Sequence, residues 1–312
     1  MRVAITGASG FLGLTLALTA KQRGHQVTAF YWHHPVCIPG VHSVRLDLED
    51  QRAVNESLQQ SRPDWIVHCA AATNVDWCEE HPEQARILHV DVSRQLAAAV
   101  CRLGANLLYV STDSVFDGER GGYVENDLCA PVNVYAASKL AGETAVEQAL
   151  PAALIVRTNM FGWKQAGNPS LVEWIVRDLT DQKPVLGFSD VIFTPLLVND
   201  LSELMLEMMQ RRLKGIYHVA SVSACSKYDF ARLVARAFGL REDLVRPTVV
   251  SQAALRAPRA RNTALSTGKV TAALGRPMPD VPEAVQRMRG LWDSGFPAQL
   301  RQLRGESSYA KV

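Results

Sequence analysis

The chain has 312 residues, enough for one large domain or a domain with a smaller lobe. It is 47% hydrophobic and 21% charged, the balance of a globular protein, and a formal net charge of +2 with no long basic run argues against nucleic acid as a partner. Cys37, Cys69, Cys78, Cys101, Cys129 and Cys225 form no C-x-x-C pair. Together with the lack of any apolar run long enough to span a bilayer, this points away from zinc, disulfides and membranes and toward a reducing, cytoplasmic setting.

Arg2–Thr6 is a short β-branched run that ends in Gly7-Ala8-Ser9-Gly10-Phe11-Leu12-Gly13, and a helical segment follows as far as Gly24. Strand, glycine turn and helix in this order suit a dinucleotide pyrophosphate, which needs a turn without Cβ atoms and the N–H groups of a helix N-terminus. The spacing is G-x-x-G-x-x-G. Residues 25–31 read as a second strand, whose end should carry an acid if the ligand has a free ribose 2′-hydroxyl. Tyr31-Trp32-His33-His34-Pro35 offers none, which tilts the expected cofactor to NADP(H). A third strand over 41–46 leads to Asp47-Leu48, a helix over 51–60 follows, and a fourth strand over 65–69 runs into Ala70-Ala71-Ala72. Small residues there let a flat ligand lie against the backbone or, alternatively, let a helix pack on the sheet.

Apolar residues at 88, 92, 96, 99, 100 and 103 predict a helix over 82–103. The strand over 107–110 ends in Ser111-Thr112-Asp113, where an open α/β sheet places its ligand; Thr112 is a candidate to orient a substrate oxygen. Tyr135 and Lys139 stand four apart in an Ala-rich helix, so both side chains share one face. An ammonium beside a phenol is expected to lower the tyrosine pKa and fit it for proton transfer to a carbonyl oxygen. A sixth strand covers 153–158. Beyond it come a loop over 162–169, a helix over Leu171–Thr180, a strand over 191–198, a helix over 200–212, a strand over 216–219 and a helix over 226–238. The tail from Gly290 reads as a helix that frays. The β-α alternation predicts a doubly wound, Rossmann-type parallel sheet. Residues 1–165 would form the dinucleotide-binding domain, with 190–222 returning to it, and 166–189 and 223–312 would form a substrate-binding lobe.

Gly7/Gly10/Gly13, Asp47, Ser111-Thr112-Asp113 and Tyr135-x-x-x-Lys139 together resemble the extended short-chain dehydrogenase/reductases. Within them the chain is most similar to the dTDP-4-dehydrorhamnose reductase group. Residues 111–118, Ser-Thr-Asp-Ser-Val-Phe-Asp-Gly, match that group's S-T-D-Y-V-F-D-G except at Ser114. Thr73-Asn74-Val75-Asp76, Thr194-Pro195, Tyr217-His218-Val219-Ala220 and Arg261-Asn262-Thr263-Ala264-Leu265 resemble its other blocks. His89 stands where the group has an asparagine that supports the lysine through water, and Asn159 where serine is common.

The resemblance implies NADPH, with NADH as the alternative, held by Gly7, Ser9, Gly10, Phe11, Leu12, Gly13, Tyr31, His33, Asp47, Leu48, Ala70, Ala71, Ala72, Tyr135 and Lys139. It implies Thr112, Tyr135 and Lys139 as catalytic residues. Val75, Asp76, Thr112, Asp113, Asn159 and Trp163 would face a nucleotide-sugar substrate, with dTDP-4-dehydrorhamnose reduced to dTDP-rhamnose as the implied reaction. A homodimer is implied as possible, and no His/Asp/Glu cluster marks a metal site. Two other readings stay open: a regulatory subunit like that of methionine adenosyltransferase, and another nucleotide-sugar epimerase or dehydratase.

Overall fold

The structure is a computed structural model and describes residues 1–165 and 167–305. Seven parallel strands make the central sheet. They are β1 (Arg2–Thr6), β2 (Gln26–Tyr31), β3 (His42–Arg45), β4 (Trp65–His68), β5 (Asn106–Thr112), β6 (Leu154–Thr158) and the strand Gly215–His218. Across the sheet the order is Gly215–His218, β6, β5, β4, β1, β2, β3. The helices between strands are α1 (Phe11–Gln22), α2 (Gln51–Ser61), α3 (Val75–Glu80), α4 (Pro82–Arg86), α5 (Val92–Leu103) and α6 (Val134–Ala149).

Successive strand residues enter opposite faces, which is why the central strands β1, β4 and β6 are largely apolar while the edge strand β3 is not. Val3, Ile5, Val67, Leu108, Leu154 and Val156 join one core with Leu14 and Leu16 of α1. Ala4, Ile66, Leu107, Tyr109 and Ile155 join the other with Leu96 and Val100 of α5. The chain moves from β1 outward to β3, then crosses back to β4 on the other side of β1. The switch point between β1 and β4 is where such a sheet opens a crevice at its carboxyl edge. Among the described residues no helix is long and apolar enough to cross a membrane.

The structure departs from the predicted elements in instructive places. The helix expected over 82–103 is broken: α4 passes into a π-helical turn, Ile87–Asp91, before α5 begins. The strand expected over 191–198 is two short pieces, because Pro195 between them has no N–H to give. Ile192–Phe193 pairs antiparallel with Cys225–Ser226, and Leu196–Leu197 pairs parallel with Met160–Phe161. A parallel pairing of Val185–Phe188 with Val245–Thr248 was not foreseen.

At the carboxyl end the fraying helix predicted from Gly290 is instead the end of one helix, Val281–Asp293, and a second, Phe296–Gln302, separated at Gly295. The rest of that prediction, residues 306–312, lies outside the described residues. Past the last helix the chain runs alongside the segment that follows β2. The Cys37 N–H donates to the Leu303 carbonyl at 2.7 Å, the Gly305 N–H donates to the Pro35 carbonyl at 2.9 Å, and Val36 bridges Arg304.

Candidate active site

The carboxyl ends of β1, β2, β4 and β5 border two clefts that share Gly7, Gly10, Cys69 and Ala71. Gly7 has φ of +63°, and a Cβ there would lie 2.7 Å from the Ala70 nitrogen, so only glycine lets the turn close onto the end of β4. Gly10 caps α1 without any side-chain hydrogen bond, leaving the first N–H groups of a buried 12-residue helix facing the cleft. That is the donor set a pyrophosphate requires. The larger cleft, about 430 Å³, is walled by Ser9, Tyr31, His33, Asp47, Leu48, Ala70 and Ala72. Phe11, Leu12 and Gly13 border the other, about 330 Å³, which continues to Thr112, Tyr135 and Lys139. Every residue predicted for the cofactor therefore lines one continuous crevice, and its shape and donors fit a dinucleotide.

Thr112 ends β5 buried, its Oγ1 accepting from the Ser114 N–H at 3.2 Å and donating to Asp113 Oδ1 at 3.2 Å, with Tyr135 lining the same cleft. Asn133 caps α6 through its Oδ1, which accepts the Ala136 N–H at 2.9 Å and so sets where Tyr135 enters. Lys139, one turn on, is buried and donates to the Tyr109 hydroxyl at 2.7 Å and to the Val110 carbonyl at 2.8 Å.

These contacts correct the predicted electrostatics. Lys139 does not lower the Tyr135 pKa. Burial pushes the phenol up to about 12, with the nearby Thr112 hydroxyl opposing it, and burial also pushes Lys139 down to about 7 against the pull of Glu143. The lysine is tied to β5 rather than to the phenol, so desolvation outweighs pairing. A phenol held protonated can still give a proton.

His89 is the feature that periodicity concealed. The π turn widens the helix, and such turns cluster at functional sites. It brings the imidazole between the end of β4 and α6. Nε2 accepts the Ala72 N–H at 3.0 Å, so the proton sits on Nδ1, which donates to Ser138 Oγ at 2.8 Å; that hydroxyl donates in turn to the Tyr135 carbonyl at 2.9 Å. Gly142 permits this closeness, since a Cβ there would meet the His89 carbonyl oxygen at 2.2 Å. The histidine thus links Ala72 to the backbone of the tyrosine.

Burial, and then the Lys139 charge, push the His89 pKa from 6.5 down to about 3. A histidine that stays neutral in the fold but protonates when unfolded favours unfolding in acid. Its contribution is fully present above about pH 6.5 and is lost as pH falls toward 3. His89→Leu is expected to cost about 1–3 kcal/mol at neutral pH, by stranding the Ala72 N–H and Ser138, and to flatten the loss of stability below pH 6.5. Urea titrations at several pH values check this; an unchanged acid slope would rule out His89 as its source.

Beneath the site, Ser111 donates to Glu143 Oε1, and Arg157 of β6 donates to both Glu143 oxygens, its Nη2 reaching Oε2 at 2.6 Å. The pair is almost wholly buried, at 4% and 2% side-chain exposure, and clamps α6 to β5 and β6. Asp113 is buried as well. Its Oδ2 accepts from Thr263 Oγ1 at 2.7 Å and Asn159 Nδ2 at 3.0 Å, while burial pushes its carboxyl pKa up despite these bonds.

Three predicted substrate residues stand apart from this group. Trp163 is not in the cleft: it is buried, its indole N–H donates to the Met288 carbonyl at 3.1 Å, and its ring packs on Trp292. Met160, three residues earlier, lines the cleft in its stead. Asp76 turns to Arg259 at 2.9 Å and to the Ala257 N–H at 3.1 Å, so with Val75 it sits on α3 outside both clefts. Reasoning from sequence also missed Lys164 and Arg304, which line the clefts. Neither belongs to a local motif that could have revealed it.

Fold and crevice together define a nucleotide-binding oxidoreductase of the short-chain dehydrogenase/reductase type. The chain belongs to the family described as the RmlD substrate binding domain, whose model matches residues 1–291. It is 33% identical over 280 residues to the probable low-salt glycan biosynthesis reductase Agl14 of Haloferax volcanii, covering 88% of this chain and 93% of that one. It is 34% identical over 274 residues to dTDP-4-dehydrorhamnose reductase of Mycobacterium tuberculosis, covering 85% of each. Methionine adenosyltransferase 2 subunit beta of Pongo abelii is 31% identical, with 89% of this chain and 84% of that one covered. The crystal structure of dTDP-4-dehydrorhamnose reductase from Bacillus anthracis, in complex with NADP, superposes with a TM-score of 0.82 at 30% identity, covering 92% of this chain and 98% of that one.

Proposed function

We propose that this protein uses NADPH to reduce the 4-keto group of a nucleotide-linked deoxysugar, with dTDP-4-dehydrorhamnose as the leading substrate. The observation that carries the reading is that Thr112, Tyr135 and Lys139 line one cleft at the end of β5, together with the glycine turn. Gly7, Ser9, Gly10 and the start of α1 would hold the pyrophosphate, Tyr31, His33, Asp47 and Leu48 the adenosine end, and Ala70–Ala72 the middle. When bound, the reduced nicotinamide supplies the hydride.

The protein's own part is positional and electrostatic. Thr112 orients the keto oxygen, and Tyr135 hydrogen-bonds to it and passes its proton as negative charge develops there. Lys139, held by Tyr109 and Val110, would hold the nicotinamide ribose beside Tyr135. Asn159, held by the buried Asp113, faces the sugar, and segments 167–189 and 223–305 form the lobe that receives the nucleotide. The reading is supported by the relatives named as dTDP-4-dehydrorhamnose reductases.

NADPH consumption should be followed by absorbance across a panel of nucleoside-diphosphate 4-keto deoxysugars. Turnover with the dTDP-linked sugar is the expected result. The likeness to methionine adenosyltransferase 2 subunit beta supplies the rival, a cofactor-binding subunit. Binding of NADPH with no sugar reduced, and co-purification with a synthetase, would decide for that rival.

A further inference from the structure

The wall of the larger cleft includes one basic side chain that comes from the far end of the chain. Arg304 lines it with Tyr31, Trp32, His33 and His34, the residues that follow β2. The placement is set by backbone: the 2.7 Å and 2.9 Å hydrogen bonds of Cys37 and Gly305 lock 303–305 beside 35–37. The Arg304 Nε is buried and has no hydrogen-bond partner. An unpartnered guanidinium nitrogen out of water is costly unless something arrives to accept its proton. The group lies close to His34, whose pKa is lowered by burial first and by the Arg304 charge second. No carboxylate ends β2; the cleft's Asp47 and Glu49 come from the segment after β3.

We infer that Arg304 anchors the 2′-phosphate of the adenosine ribose, so that the carboxyl-terminal segment sets the preference for NADP(H) over NAD(H). This rests on the cofactor assignment made above. A guanidinium suits a phosphomonoester dianion because its donors are planar and paired. In a dinucleotide crevice of this kind the position just after the second strand is where the ribose 2′-substituent falls. Here that position carries His33 and His34, and Arg304 is brought to it from a distant part of the sequence. The side chain would act as a specificity residue with no part in the chemistry.

The test is binding, read by protein fluorescence, since Trp32 is 41% exposed beside the site. Wild type, Arg304→Gln and Arg304→Lys are titrated with NADPH, NADH, adenosine 2′,5′-bisphosphate and AMP. Arg304→Gln is expected to weaken NADPH and the bisphosphate by about 10- to 100-fold, with NADH and AMP little changed and Arg304→Lys in between. The two unphosphorylated ligands also report that the crevice is intact. An equal loss for all four ligands would mean that Arg304 merely holds the segment in place, and no loss for any would mean that it does not touch the ligand; either overturns the inference. Selective loss in a protein that reduces no keto sugar would uphold the inference while removing the proposed substrate. Turnover that persists with no 2′-phosphate preference in wild type would do the reverse.

Discussion

Tyr135→Phe is expected to lower keto-sugar turnover by about 10²–10⁴-fold while leaving NADPH affinity nearly unchanged. The substitution removes one hydroxyl that lines the cleft with Thr112, and α6 is anchored elsewhere, by the Asn133 cap and the Glu143–Arg157 pair. Because burial holds the phenol protonated at neutral pH, the wild type enters each cycle with its acid already loaded. Lys139→Ala should cost more. It removes the group that would hold the nicotinamide ribose and leaves the Tyr109 hydroxyl and Val110 carbonyl without their donor. Turnover by absorbance and affinity by fluorescence separate the two effects. A Tyr135→Phe protein with full activity on a sugar that the wild type reduces would end the mechanism.

Glu143→Ala is the substitution expected to cost the fold most, about 3–5 kcal/mol in denaturant titration. Arg157 would remain buried, its charge uncompensated, and Ser111 would lose its acceptor. Replacing both partners with apolar residues of similar volume, Glu143→Leu with Arg157→Met, should recover much of that loss, since the penalty comes from the stranded charge and not from the absence of a pair. If the single variant unfolds within about 1 kcal/mol of wild type, the pair is better solvated than its exposure implies.

What could be foreseen from the sequence was whatever depends on neighbours along the chain. The glycine turn needs seven consecutive residues, and Tyr135 with Lys139 needs one helical turn, so both were visible. The central strands were visible because burial on two faces makes runs such as β1, β4 and β6 largely apolar. The tyrosine pKa was misjudged because spacing says that two side chains share a face, but not how much water is left around them or where an ammonium finds its acceptors. Trp163 entered the substrate set only through the family resemblance. Met160–Phe161 is a short strand, and Met160 borders the cleft while Phe161 enters the core, which no count of ring types reveals. The π turn around His89 hid inside a regular apolar repeat, because Leu88, Val92 and Leu96 keep an i, i+4 spacing straight through it. Arg304 could not be found near β2 at all, because it reaches that strand's end only through the folded backbone.

The contact of Gly7 with Ala70 has a bearing on how the protein is made. Although the glycine motif is complete by residue 13, the surface it closes against is not synthesised until β4 is finished and the chain has turned past residue 69. Until then β1 has β2 on one flank and nothing on the other. A nascent chain carrying only the first three strands has the signature of a nucleotide site without its back wall, and the ribosome must add the fourth before there is anything for a nucleotide to hold.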